Sequence, residues 1–165
     1  MSDLEFSDTP ALEVLARLPR SDIDPTDIVV AQDLLRLAKT LLGSFAEQFA
    51  MHGLSPGRYA LMMTLQARAA PLAPSEIADR LGVTRATVTG LVSGMVRDGL
   101  IVFAPAEGAD RRRKAVALTD RGRELAAVVA PEVFQQMASL LTPLSAPERD
   151  TLRGLLRRIE DGLSG

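Results

Sequence analysis

A chain of 165 residues with 47% hydrophobic and 24% charged side chains has the proportions of one soluble globular domain and is too apolar to remain disordered. Cysteine and tryptophan are absent and histidine occurs once, at position 52. This excludes disulfides, thiolate-ligated metals, thiol redox chemistry, metal sites that need two imidazoles, and histidine-dependent triads away from that residue.

The formal charge of −2 taken alone argues against a polyanion partner, but its distribution argues the other way. Residues 1–33 hold eight acids against two arginines, a net −6, and residues 34–165 hold seventeen basic and thirteen acidic groups, a net +4. Aromatics are 4%, so the core must be built from Leu, Val, Ile, Ala and Met, a palette that favours helices. No run of eighteen apolar residues occurs and the start of the chain lacks a basic, then apolar, leader, so a cytoplasmic protein with no membrane partner is expected.

In chain order, Thr9-Pro10 opens a short helix carrying Leu12, Val14, Leu15 and Leu18. Asp24-Pro25 opens a long one, because a polar cap followed by proline at the first helical position costs no hydrogen bond. Its Val30, Leu34, Leu37, Leu41, Phe45 and Phe49 recur every three or four residues as far as about His52. Ser55-Pro56 opens a third helix, to about Arg68, with Tyr59, Leu61, Met62, Met63 and Leu65. Glu76 to Leu81 is predicted as a short helix ended by Gly82, and Thr84 caps another, about Arg85 to Asp98.

After Gly99 the apolar period changes to two. Ile101 and Phe103, then Val116 and Leu118, read as two short strands joined by a charged loop. Thr119-Asp120 restarts helix through about Leu141, with Pro131 predicting a kink or break. A capping box of Ser145 and Glu148 opens the last helix, about Ala146 to Asp161. Its Leu152, Leu155, Leu156, Ile159 and Leu163 form a face that must pack on something.

Short helix, tight turn, second helix and two-stranded ribbon, in that order, make a winged helix-turn-helix. The fold class expected is therefore mainly α with a small two-stranded β wing. On the second helix Val88, Leu91, Val92 and Met95 point inward. Outward stand Arg85, Ala86, Thr87, Thr89, Gly90, Ser93, Gly94 and Arg97, small or hydroxylated residues between two arginines where a merely solvated face carries Glu and Lys pairs.

Such a face suits the major groove. Thr and Ala methyls meet the thymine methyl, Ser and Thr hydroxyls serve base edges or phosphates, and Arg forks onto guanine, with the turn Thr84 to Thr89 doing the reading. For Gly94 the competing explanation is tight helix packing, and for Arg97 a cation placed against the helix C-terminus.

Asp110, Arg111, Arg112, Arg113 and Lys114 put four successive cations at a hairpin tip. One reading is a loop kept soluble by charge. The other is a wing along the DNA backbone, with one arginine in the narrow minor groove and Asp110 orienting it. Arg85 to Lys114 nets +3 from six basic and three acidic groups, or +6 in a dimer.

The run SEIADRLGVTRATVTGLV from Ser75 to Val92, the turn from Arg97 to Ile101, and Asp110 with Arg112 followed by Leu118-Thr119 resemble the MarR family of bacterial transcriptional regulators, over about residues 25 to 163. The resemblance implies Arg112 in the minor groove, supported by Asp110. It further implies an obligate homodimer that binds double-stranded DNA at a pseudo-palindromic operator, repression by default, and no cofactor.

The chain then divides into an extension (1–23), a helical dimerisation region (24–53 and 120–165) and a DNA-binding lobe (54–119). Family members often respond to small aromatic or phenolic ligands between these regions, which here corresponds to His52, Arg58, Tyr59 and Met62. The plainer reading gives His52 to a helix terminus and Tyr59 to the core. Lack of Cys, of a second His and of Trp argues against peroxide-, zinc- and urate-sensing subtypes respectively. A winged-helix scaffold for protein contacts is the rival reading, and no spaced nucleophile, base and orienting acid suggests an enzyme.

Overall fold

The computed structural model describes residues 23–68, 70–105 and 114–163, together with Pro10, Val14 and Arg17. Leu12, Leu15 and Leu18 of the expected N-terminal helix lie outside the described residues, as do Asp110, Arg111, Arg112 and Arg113; of Lys114 only the backbone is described. The chain divides into two compact units, Met1–Glu47 and Gln48–Gly165.

The main described element of the first unit is helix α1 (Pro25–Met51), up to Glu47. Asp24 starts it as the sequence predicts, its carboxylate accepting from the Thr26 N–H at 2.8 Å. Leu35, Leu37 and Leu42 along it are 72%, 56% and 71% exposed, with Leu35 and Leu42 on one side of the helix and Leu37 on the other.

In the second unit, α1 ends in a turn where Gly53 takes φ +69°, a left-handed conformation that an L side chain rarely adopts. α2 (Pro56–Gln66) follows, capped by Ser55. α3 (Pro74–Leu81) begins two residues before the expected Glu76. Ala73 has no capping oxygen, so the signal differs from the usual one: Glu76 reaches back to accept the Ala73 N–H at 2.8 Å. Gly82 at φ +64° ends α3, and the Thr84 side chain caps α4 (Arg85–Arg97).

The strands β1 (Ile101–Pro105) and β2 (Lys114–Leu118) pair antiparallel in the register Ile101 to Leu118 and Phe103 to Val116. Leu72 adds a bridge the sequence did not announce, exchanging two backbone hydrogen bonds with Val116 at 3.0 and 2.8 Å. Pro71 and Pro74 on either side lack N–H groups, which keeps this pairing short.

Helix α5 (Asp120–Leu140) runs through Pro131 as one element, so of the kink or break expected there the break does not occur. Gly122, Ala126, Val129 and Val133 form its buried stripe, and this packing outweighs the one N–H that proline withdraws. The last helix, α6 (Ala146–Leu163), buries no residue. The core gathers Leu61, Met62, Ile77, Val88, Met95, Ile101, Val116, Val129 and Val133, each under 2% exposed, and so locks the helix-turn-helix, the ribbon and α5 together.

Candidate nucleic-acid interface

α4 is held from beneath and free above. Val88 and Met95 are fully buried and Val92 is 4% exposed, while Thr84, Arg85, Ala86, Thr87, Thr89, Gly90, Ser93 and Arg97 are exposed. Arg85, Ala86, Thr89, Gly90, Ser93 and Arg97 share one side, since helical neighbours recur every three or four residues. No acidic residue stands in the first turn, so the partial positive charge of the helix N-terminus is left for an anion.

Three threonine hydroxyls of this segment are engaged within the chain. The Thr87 N–H donates to Thr84 Oγ1 at 3.1 Å, and the two Oγ1 atoms lie 2.9 Å apart. The Thr89 hydroxyl donates to the Arg85 carbonyl at 2.9 Å.

Gly94 is not on the outward side: it is buried. A Cβ there would stand 2.9 Å from Arg58 Nη2, so an added side chain would have to push aside the end of Arg58 that is paired with Asp98. Gly90 is different, because a Cβ added there meets nothing within 4 Å.

The end of α4 is fixed twice. Arg58 Nη2 donates to Asp98 Oδ2 at 2.5 Å, tying the first turn of α2 to the residue that ends α4. Thr119, part of the Leu-Thr pair noted in the sequence, donates its hydroxyl to the Gly99 carbonyl at 2.7 Å and accepts the Gly122 N–H at 3.0 Å. One side chain therefore joins the turn after α4 to the start of α5.

A cleft of about 440 Å³ opens beside this joint, lined among others by His52, Arg58, Asp98, Arg121, Glu124 and Val128. Of the four residues expected around a ligand, His52 and Arg58 line it. Tyr59 and Met62 do not: Tyr59 stacks on Phe49 with centroids 4.4 Å apart, burial pushing its phenol pKa up, and Met62 is 0% exposed. The Oε2 of Glu132 lies 2.7 Å from His52 Nε2. Sequence reasoning missed Asp98, Arg121, Glu124 and Glu132, because no local spacing connects residues that only the packing of α2, α4 and α5 brings together.

The wing cations Arg111, Arg112 and Arg113, with Asp110, lie outside the described residues, and the backbone of Lys114 opens β2 opposite Pro105.

Comparison with known proteins finds the sequence profile of the MarR family matching residues 52–113. The transcriptional regulator PecS of Dickeya dadantii is 32% identical over 149 residues, 89% of each chain. Among solved structures, the MepR–DNA complex of S. aureus superposes with TM-score 0.69 at 21% identity, covering 79% of this chain and 94% of that one. CouR from Rhodococcus jostii RHA1, bound to p-coumaroyl-CoA, gives 0.67 at 22%, covering 79% and 90%.

Proposed function

Because this chain belongs to the MarR family of DNA-binding transcriptional regulators, we propose that it acts as a homodimeric repressor whose α4 helices enter successive major grooves of a pseudo-palindromic operator. The observation that carries the reading is the two-sidedness of α4: a buried Val88, Val92 and Met95 beneath an exposed Arg85, Ala86, Thr87, Thr89 and Arg97. A solvent face has no need of that composition, whereas a groove does. The wing residues Arg111, Arg112, Arg113 and Lys114 complete the interface along the backbone, Arg112 entering the minor groove with Asp110 orienting it.

The homodimer is supported by apolar surface left open on the single chain. α6 buries nothing, and its Leu155, Leu156 and Ile159 are 45–48% exposed. Two-fold symmetry then spaces the half-sites roughly 34 Å apart. The cleft beside Arg58 takes a small aromatic anion, a reading supported by its size and by Arg58 and Arg121, which share its wall with Asp98 and Glu124. Occupancy there competes with Asp98 for Arg58 and so acts on the seat of α4.

The test is fluorescence anisotropy of the purified protein on DNA from upstream of its own gene and on scrambled DNA, across a salt series. A preference of about a thousandfold, with affinity falling steeply as salt rises, is expected. Weak binding, equal on upstream and scrambled DNA, would contradict the reading.

A further inference from the structure

We propose that α4 recognises thymine by its methyl group, through the methyls of Ala86 and Thr89, with the Thr89 hydroxyl donating nothing to a base edge; the inference rests on the reading of α4 as the DNA-contacting helix. The sequence leaves both modes of threonine readout open, and the hydrogen bonds of the helix separate them. A threonine hydroxyl has one proton. That of Thr89 is spent on the Arg85 carbonyl, 2.9 Å away, so this residue brings no hydroxyl donor to a base edge and keeps its Cγ2 methyl, beside an oxygen that can only accept, as what it has for a contact.

Thr84 and Thr87 are similarly engaged with each other. Their Oγ1 atoms are 2.9 Å apart while Thr84 Oγ1 also accepts the Thr87 N–H, so of their two hydroxyl protons one is consumed between them. Ala86 stands three residues before Thr89, on the same side of the helix, and offers only a methyl.

Gly90 supplies the second observation. It adjoins Thr89 on the exposed side, and an added Cβ would meet nothing of this chain within 4 Å. Packing therefore does not ask for glycine there, and helix propensity opposes it. A backbone that must come close to another surface does ask for it. In the major groove thymine alone among the four bases presents a methyl, so an apolar pair with a glycine beside it matches that base.

The experiment selects preferred duplexes from a random-sequence pool with the purified full-length protein, then replaces each half-site thymine by uracil, which removes only the C5 methyl. Affinity is expected to fall about fourfold for each contacted methyl. Thr89→Val, which keeps a methyl and loses the hydroxyl, should retain the preference for thymine over uracil; Thr89→Ser, which does the reverse, should lose it at one half-site position.

Uracil tolerated everywhere by the wild type overturns the inference, as does a preference that survives in Thr89→Ser and vanishes in Thr89→Val. A pool yielding no enriched sequence overturns the DNA reading itself, whereas an enriched sequence indifferent to uracil overturns this inference alone.

Discussion

Arg58 holds Asp98 across forty residues of sequence, with Nη2 and Oδ2 2.5 Å apart, and its guanidinium occupies the space that a side chain at Gly94 would need. Two features of the last turn of α4, a small residue and a carboxylate, thus fit a single arginine from α2. The pair is partly exposed, 22% at Arg58 and 40% at Asp98, so solvent screening limits what it contributes.

A double-mutant cycle of Arg58→Ala and Asp98→Ala should give a coupling of about 0.5–1 kcal/mol in chemical denaturation. Each single variant should also weaken operator binding, since the seat of α4 loosens. Additive effects on stability would show that the two side chains do not work as a pair.

The same substitution should have opposite effects at two glycines. In Gly122→Ala the new Cβ would lie 2.1 Å from the Leu100 carbonyl oxygen, where backbone must move, so a stability loss of about 2 kcal/mol or more is expected. Gly90→Ala meets open space and should stabilise the helix by up to about 1 kcal/mol, yet reduce operator affinity. Denaturation and anisotropy on both variants check this.

Glu148 accepts both the hydroxyl and the N–H of Ser145, at 2.6 and 2.8 Å, and these bonds, the hydroxyl first, hold its carboxyl pKa below the ordinary value of 4.5. A lowered folded-state pKa means the contribution is complete above the unfolded value and is lost as pH falls through the folded one. Wild type should therefore lose α6 stability in acid more than Ser145→Ala does. Thermal melts between neutral pH and pH 3 provide the comparison.

On α6, Ile159 is 45% and Leu156 46% exposed, and the proposed dimer covers them. Ile159→Glu should place charge in that contact and yield monomers in sedimentation velocity, with an unchanged far-ultraviolet spectrum and weakened operator binding. A dimer of wild-type strength would place the interface elsewhere.

What was legible in the sequence is what is encoded locally. Thr84, Ser55, Ser145 and Gly82 act within four residues of themselves, so the helix starts and stops follow from them. Where tertiary packing decides, local rules fail. Pro131 does not break α5 because Val129 and Val133, both 0% exposed, are anchored on either side of it. Gly94, read from the sequence as outward, is buried with Arg58 beside it. Leu72 pairs with a strand more than forty residues away, and His52 meets Glu132 rather than a neighbour on its own helix. The face of α4 was readable because its exposed positions between two arginines are small or hydroxylated, whereas the cleft was readable in part, since His52, Gly53 and Arg58 of its lining stand at one junction in sequence and Asp98, Arg121 and Glu124 come from elsewhere.

The most direct test of the account is a hydroxyl-radical footprint of the full-length protein on its selected operator, for wild type and Arg112→Ala. The account predicts two protected patches related by two-fold symmetry, centred roughly 34 Å apart, with flanking minor-groove protection that disappears in Arg112→Ala. A single asymmetric patch, or flanks that persist without Arg112, would contradict it.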